Sequence, residues 1–127
     1  MERLKKYYTE INQLNDEIPA ELSRKITLYS LSLQRIGNFH AQAIMEHGIA
    51  YAERKSLWGR VMHDTPGTGI VKEGAAEIAI KDIRMKEAEC EAEVWKWRNQ
   101  FESTQEIINS LKIELRTLMT EYQNSNQ

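Results

Sequence analysis

A chain of 127 residues, 41% hydrophobic and 28% charged, has enough apolar material for one modest core and too much for general disorder. Its formal charge of −2 excludes a global basic footprint for nucleic acid or membrane, and is too small to make the molecule a polyanion imitating DNA. The lone cysteine, Cys90, excludes an internal disulfide and fits a reducing compartment. No run approaches ~18 apolar residues and residues 1–6 lack an apolar signal core, so no membrane span is expected and the chain is read as cytoplasmic.

Leu4, Tyr7, Tyr8, Ile11 and Leu14 recur at helical spacing and predict a first helix over residues 2–15. Pro19 disfavours helix in the residue before it and suits the first turn of the next one. A second helix is predicted over 20–62, with a 3-4 seam through Leu22, Ile26, Tyr29, Leu33, Ile36, His40, Ala43, His47, Ala50, Arg54, Leu57 and Val61. Gly37, Gly48 and Gly59 are spaced by eleven, close to three turns, and with Ala41 and Ala52 form a line of small side chains. Such a line either lets the arms of a hairpin close up or offers a docking face to a second copy or a target.

Residues 63–71, including Pro66, Gly67 and Gly69, predict a turn. A third helix is predicted over 72–122, and its seam is the most regular feature of the chain. The seam runs Ile80, Ile83, Glu87, Cys90, Val94, Trp97, Phe101, Thr104, Ile108, Leu111, Leu115, Leu118, Tyr122, a strict 3-4 alternation with no Pro or Gly inside it. Residues 123–127 are polar and read as a frayed tail. Centring the turn near Gly67 sets Leu33 against Phe101, His40 against Val94 and His47 against Glu87. The polar interruptions of the two seams thus fall opposite each other. The fold class expected is all-α: a long, coiled-coil-like antiparallel helical hairpin with the short N-terminal helix packed at its base, one domain over 1–127.

Candidate chemistry is sparse. His47, Glu87 and Cys90 are metal-capable and able to converge, but a di-metal helical site wants about four carboxylates and paired Glu-x-x-His motifs, which are missing. His47 and Glu87 are therefore expected to form a structural pair that sets register, with no metal and no cofactor. The turn lacks the Gly-Lys-Ser/Thr and the preceding strand of a phosphate loop. Nothing resembles a catalytic set, so the chain is not expected to be an enzyme. Residues 73–93 hold seven acidic and three basic side chains. Glu89, Glu91 and Glu93 are read as a solvated face or as a patch for a basic partner. Trp95 falls off the seam and, with Gly48, Trp58, Pro66 and Gly67, completes a candidate partner-binding set. Arg54, Lys55, Arg60, Lys96 and Arg98 form the alternative, nucleic-acid set.

The segment Gly67-Thr68-Gly69-Ile70-Val71-Lys72-Glu73-Gly74-Ala75-Ala76-Glu77-Ile78-Ala79, the Ala/Glu run Glu87 to Glu93, and the ending Ser110-Leu111-Lys112-Ile113-Glu114-Leu115 are similar to small all-helical proteins of the early gene clusters of bacteriophages and prophages. That resemblance covers roughly residues 40–118 and is one of composition. It implies a place in the host cytoplasm among genes that serve recombination or replication, or that block host enzymes and defence systems. The function expected is binding without chemistry: an inhibitor or adaptor of a host or phage protein complex, self-associating as a homo-oligomer. The alternatives are a nucleic-acid-associated replication or recombination accessory and a purely structural self-assembling coiled coil.

Overall fold

The computed structural model describes residues 1–125, and every regular element among them is helical. The elements are α1 (Glu2–Ile11), α2 (Pro19–Asp64), α3 (Gly69–Ala79) and α4 (Lys81–Ser125). The chain is all-α and is built on a helical hairpin, α2 packing against α4. It divides into two compact units, the first made of Met1–Asn38 with Arg98–Gln127 and the second of Phe39–Trp97.

The first unit holds three helical segments. Asn-rich sequence stops α1 at Ile11, earlier than the expected residue 15. Gln13 and Leu14 donate back to Glu10 and Ile11 at 3.0 and 3.2 Å, and the Asn15 side chain accepts from the Glu17 amide at 2.9 Å. Pro19 then occupies the first position of α2, where its missing N–H costs nothing. On α2, Leu22 and Ile36 are buried on the seam expected from the sequence, and so are Ile108 and Leu111 on α4. A second row on α2, Leu28 and Ser32, is also buried. It lies on the side that carries Arg24 and Lys25, which bridge to Glu10 at 2.8 Å and Asp16 at 2.9 Å. Since Leu4 and Ile11 of α1 are themselves buried, α1 seals this second row. The buried hydroxyls of Ser32 and Thr104 donate to the carbonyls of Leu28 and Gln100, so their burial leaves no polar atom unsatisfied. Gly37 lets the Phe101 ring approach to 3.5 Å of where a Cβ would stand.

The second unit is an antiparallel pair of arms joined at residues 65–68. Gly67, at φ 116°, takes the left-handed conformation open to glycine, with Val71 packed 3.3 Å from its missing Cβ. Helix resumes at Gly69 rather than at 72. The long helix expected from there is broken once, at Ile80 (φ −92°, ψ 0°), with neither proline nor glycine present. Hydrogen bonding runs on through the break, from Ile80 N–H to Ala76 and from Arg84 N–H to Ile80. The departure from helical geometry coincides with complete burial of the Ile80 side chain.

Along α4 the seam read from the sequence is the buried one. From Lys81 to Leu118 the residues that are not exposed are Ile83, Glu87, Cys90, Val94, Trp97, Phe101, Thr104, Ile108, Leu111, Leu115 and Leu118. Tyr122 departs from it, 49% exposed. The tail is helical through Ser125, whose hydroxyl donates to the Tyr122 carbonyl. Residues 126–127 of that expected tail lie outside the described residues.

Candidate interaction surface

The second unit closes its arms with small residues. Ala43, Ala50 and Ala76 are buried, and the large buried side chains are Ile80 and Trp97. Phe39 stacks on Trp97 with ring centres 4.7 Å apart. The Trp97 indole N–H donates to Glu93 at 3.1 Å, and Lys96 stands 4.8 Å over its ring.

The polar break in the seam is filled by Arg54 and Glu87. The Arg54 guanidinium donates to both carboxylate oxygens of Glu87 and lies 5.3 Å over the Tyr51 ring. Their side chains are 22% and 16% exposed. The partner of Glu87 is therefore Arg54, two turns beyond the expected His47. His47 is half-buried and makes no hydrogen bond to Glu87, adding only a weaker favourable charge. The reason is reach. Helical side chains lean toward their own N-termini, so contacting residues in an antiparallel pair carry higher numbers than backbones at the same level. Hydrogen bonding from Arg54, partly offset by desolvation, holds the Glu87 carboxyl below its usual range.

A depressed carboxyl pKa contributes stability above the unfolded-state value and loses it as pH falls through the folded one. Glu87→Gln is thus expected to flatten the acid limb of a pH–stability curve measured by urea melts. Arg54→Ala and Glu87→Ala are expected to be non-additive in a double-mutant cycle; strict additivity would mean that the pair carries no coupling.

The candidate residues are distributed unevenly. Gly48 and Gly59 are exposed, with nothing within 4 Å of an added Cβ, so within the chain only Gly37 of the three admits a close neighbour. Pro66 and Gly67 are exposed at the turn, Trp58 is half-buried, and Trp95 is 51% exposed. Glu89, Glu91 and Glu93 are exposed, but Glu93 is engaged by Trp97 and Lys96. The basic set does not gather. Arg54 is held by Glu87, Lys96 by Glu93, and Arg98 sits in the first unit beside Glu102. Lys55, 5.5 Å over the Tyr51 ring, and Arg60 remain on α2 without a carboxylate. Cys90 is a free, half-buried thiol, and no three His, Cys, Asp or Glu groups among the described residues are placed to hold a metal ion.

Sequence reasoning passed over the dominant surface. Against two large apolar side chains buried in this unit, nine among the described residues are 44–83% exposed: Ile44, Met45, Ile49, Tyr51, Ile70, Val71, Ile78, Met85 and Trp95. Four of the nine fall on two further lines, Met45 with Ala41, Gly48 and Ala52 on α2, and Ile78, Met85 and Trp95 with Ala88 and Ala92 along α3 and α4. Ile78, Met85 and Ala88 line an open hollow on α3 and α4, rimmed by Glu77, Lys81 and Arg84.

No helix among the described residues is long and apolar enough to cross a membrane. No protein-family model, curated protein or solved structure is significantly similar to this chain.

Proposed function

We propose that this protein is a non-enzymatic binding protein whose second unit takes up helices of a protein partner along its exposed apolar rows. The observation that carries the reading is that nine large apolar side chains of that unit are 44–83% exposed. Large apolar side chains exposed in this number on a helix pair suit an interaction surface. The resemblance to phage early-region proteins supports a partner in a host defence or replication and recombination complex, which the protein inhibits or adapts in the host cytoplasm. A nucleic-acid role is less well supported, because Arg54, Lys96 and Arg98 already face carboxylates.

A tagged pull-down from bacterial lysate, with and without nuclease, tests this. One stoichiometric protein is expected to survive nuclease and to be lost with Met85→Glu, a change at a side chain already 58% exposed. Capture that vanishes with nuclease and weakens steeply with salt would transfer the function to nucleic acid.

A further inference from the structure

We propose that α3 is a hinged segment that swings away from α2 as one piece, pivoting at Ile80 and at the turn around Gly67, while the rest of the second unit stays closed. This goes beyond the binding reading and does not depend on it. Three observations carry it.

The first is how little holds α3. Its eleven residues bury one side chain completely, Ala76, and a methyl group is the smallest apolar contribution that burial can make. Its large apolar side chains face water instead, Ile70 being 83% exposed, Val71 54% and Ile78 80%. Among the described residues no ion pair or side-chain hydrogen bond joins α3 to α2. The Glu77–Arg84 pair, at 2.9 Å, runs along to α4 and is half-exposed at both ends. Gly69 and Gly74 lie within α3, and only proline is less favourable inside a helix than glycine. Segments with so few buried apolar contacts open at less cost than the rest of a structure.

The second is a pivot at each end. Gly67 takes φ 116° in the turn, and Ile80 leaves helical geometry at φ −92°, ψ 0°. Hinges are positions of this kind, ends of elements that absorb a change of backbone angle. Ile80 is itself fully buried, so the pivot is anchored and the motion stops there. About two turns further along α4, Glu87 accepts from Arg54 and clamps the arms together.

The third is what the segment covers. An antiparallel pair joined at residues 65–68 sets α3 beside the last turns of α2, where Leu57, Trp58, Val61 and Met62 are half-buried. Opening exposes that apolar end of α2 without breaking the Arg54–Glu87 contact.

Native-state hydrogen exchange of the full chain, followed by NMR at rising sub-denaturing urea, tests this. The amides of residues 73–79 are expected to share one opening, at least about ten-fold more frequent than that of residues 87–97 and nearly independent of urea. Protection is expected to step up in the turn after Ile80. Gly74→Ala, whose methyl meets nothing within 4 Å, is expected to slow exchange through α3 about two- to five-fold and to leave residues 87–97 unchanged. Protection that climbs evenly from the turn through Ile80 would mean simple fraying and overturns the inference. So does a Gly74→Ala effect that spreads equally to residues 87–97, because α3 would then open only with the whole unit. Exchange of α3 as fast as in an unfolded chain overturns it too, since a hinge needs a closed state.

Discussion

Replacing Leu28 by alanine is expected to lower the free energy of unfolding by about 2–5 kcal/mol, the range for removing a fully buried leucine side chain. Leu28 is 1% exposed although it lies off the seam that faces α4. Its burial depends on α1, tied to α2 through Glu10–Arg24 and Asp16–Lys25. These bridges are too exposed to hold the helix by themselves. What α1 supplies is Leu4 and Ile11, and what it covers is Leu28 and Ser32. Urea melts would show the loss as a lower midpoint. Ile49→Ala, at a side chain 50% exposed, is the control and is expected to cost less than about 1 kcal/mol in a monomeric sample. A cost at Leu28 no larger than at Ile49 would mean that α1 does not seal the first unit.

The second large effect is a pair of opposite signs two residues apart on α2. Ala50 is 1% exposed in the tight contact between the arms, and Ala50→Leu is expected to cost about 1–3 kcal/mol through overpacking. Gly48→Ala places a methyl group in open space and removes the entropic cost of a helical glycine. It is expected to raise stability by about 0.5–1 kcal/mol. Both are read from thermal or urea melts at a concentration where the chain is monomeric. Neutral behaviour of Ala50→Leu would show that the arms stand further apart than their alanines imply.

These two changes also mark what could be read from the sequence. The α4 seam was legible from Ile83 to Leu118 because a single partner covers that helix along its length, and one covered side produces one clean periodicity. The α2 pattern is composite. In the first unit two neighbours cover it, so Leu28 and Ser32 join the seam and blur its period. In the second unit only one side is covered, and the exposed row through Met45 and Gly48 was read as small residues alone, without Ile44 and Ile49 beside it. Pairing across the hairpin was placed too early, Leu33 with Phe101 where Gly37 stands and His47 with Glu87 where Arg54 stands. Periodicity locates a face, whereas the lean and length of side chains decide which residues on that face meet. The break at Ile80 has no proline or glycine to announce it, and an element boundary set by burial leaves no local sign. In the surface itself, the tip residues and Trp95 were legible as exposed, while the convergence of basic residues was not, since carboxylates on the same face had first claim on them.

The division of the chain also sets an order of events during synthesis. The second unit is one continuous run, whereas the first is completed only when residues from 98 onward return to 1–38. At ~5–20 residues per second, translation finishes the thin-cored unit a few seconds before the thick-cored one can close. During that interval Leu22, Leu28 and Ile36 have emerged without Ile108 and Leu111 to cover them, and the outward apolar rows are already displayed. The most vulnerable state of this molecule is therefore the nascent chain late in translation, when chaperones and neighbouring nascent copies on the same message compete for its apolar surface.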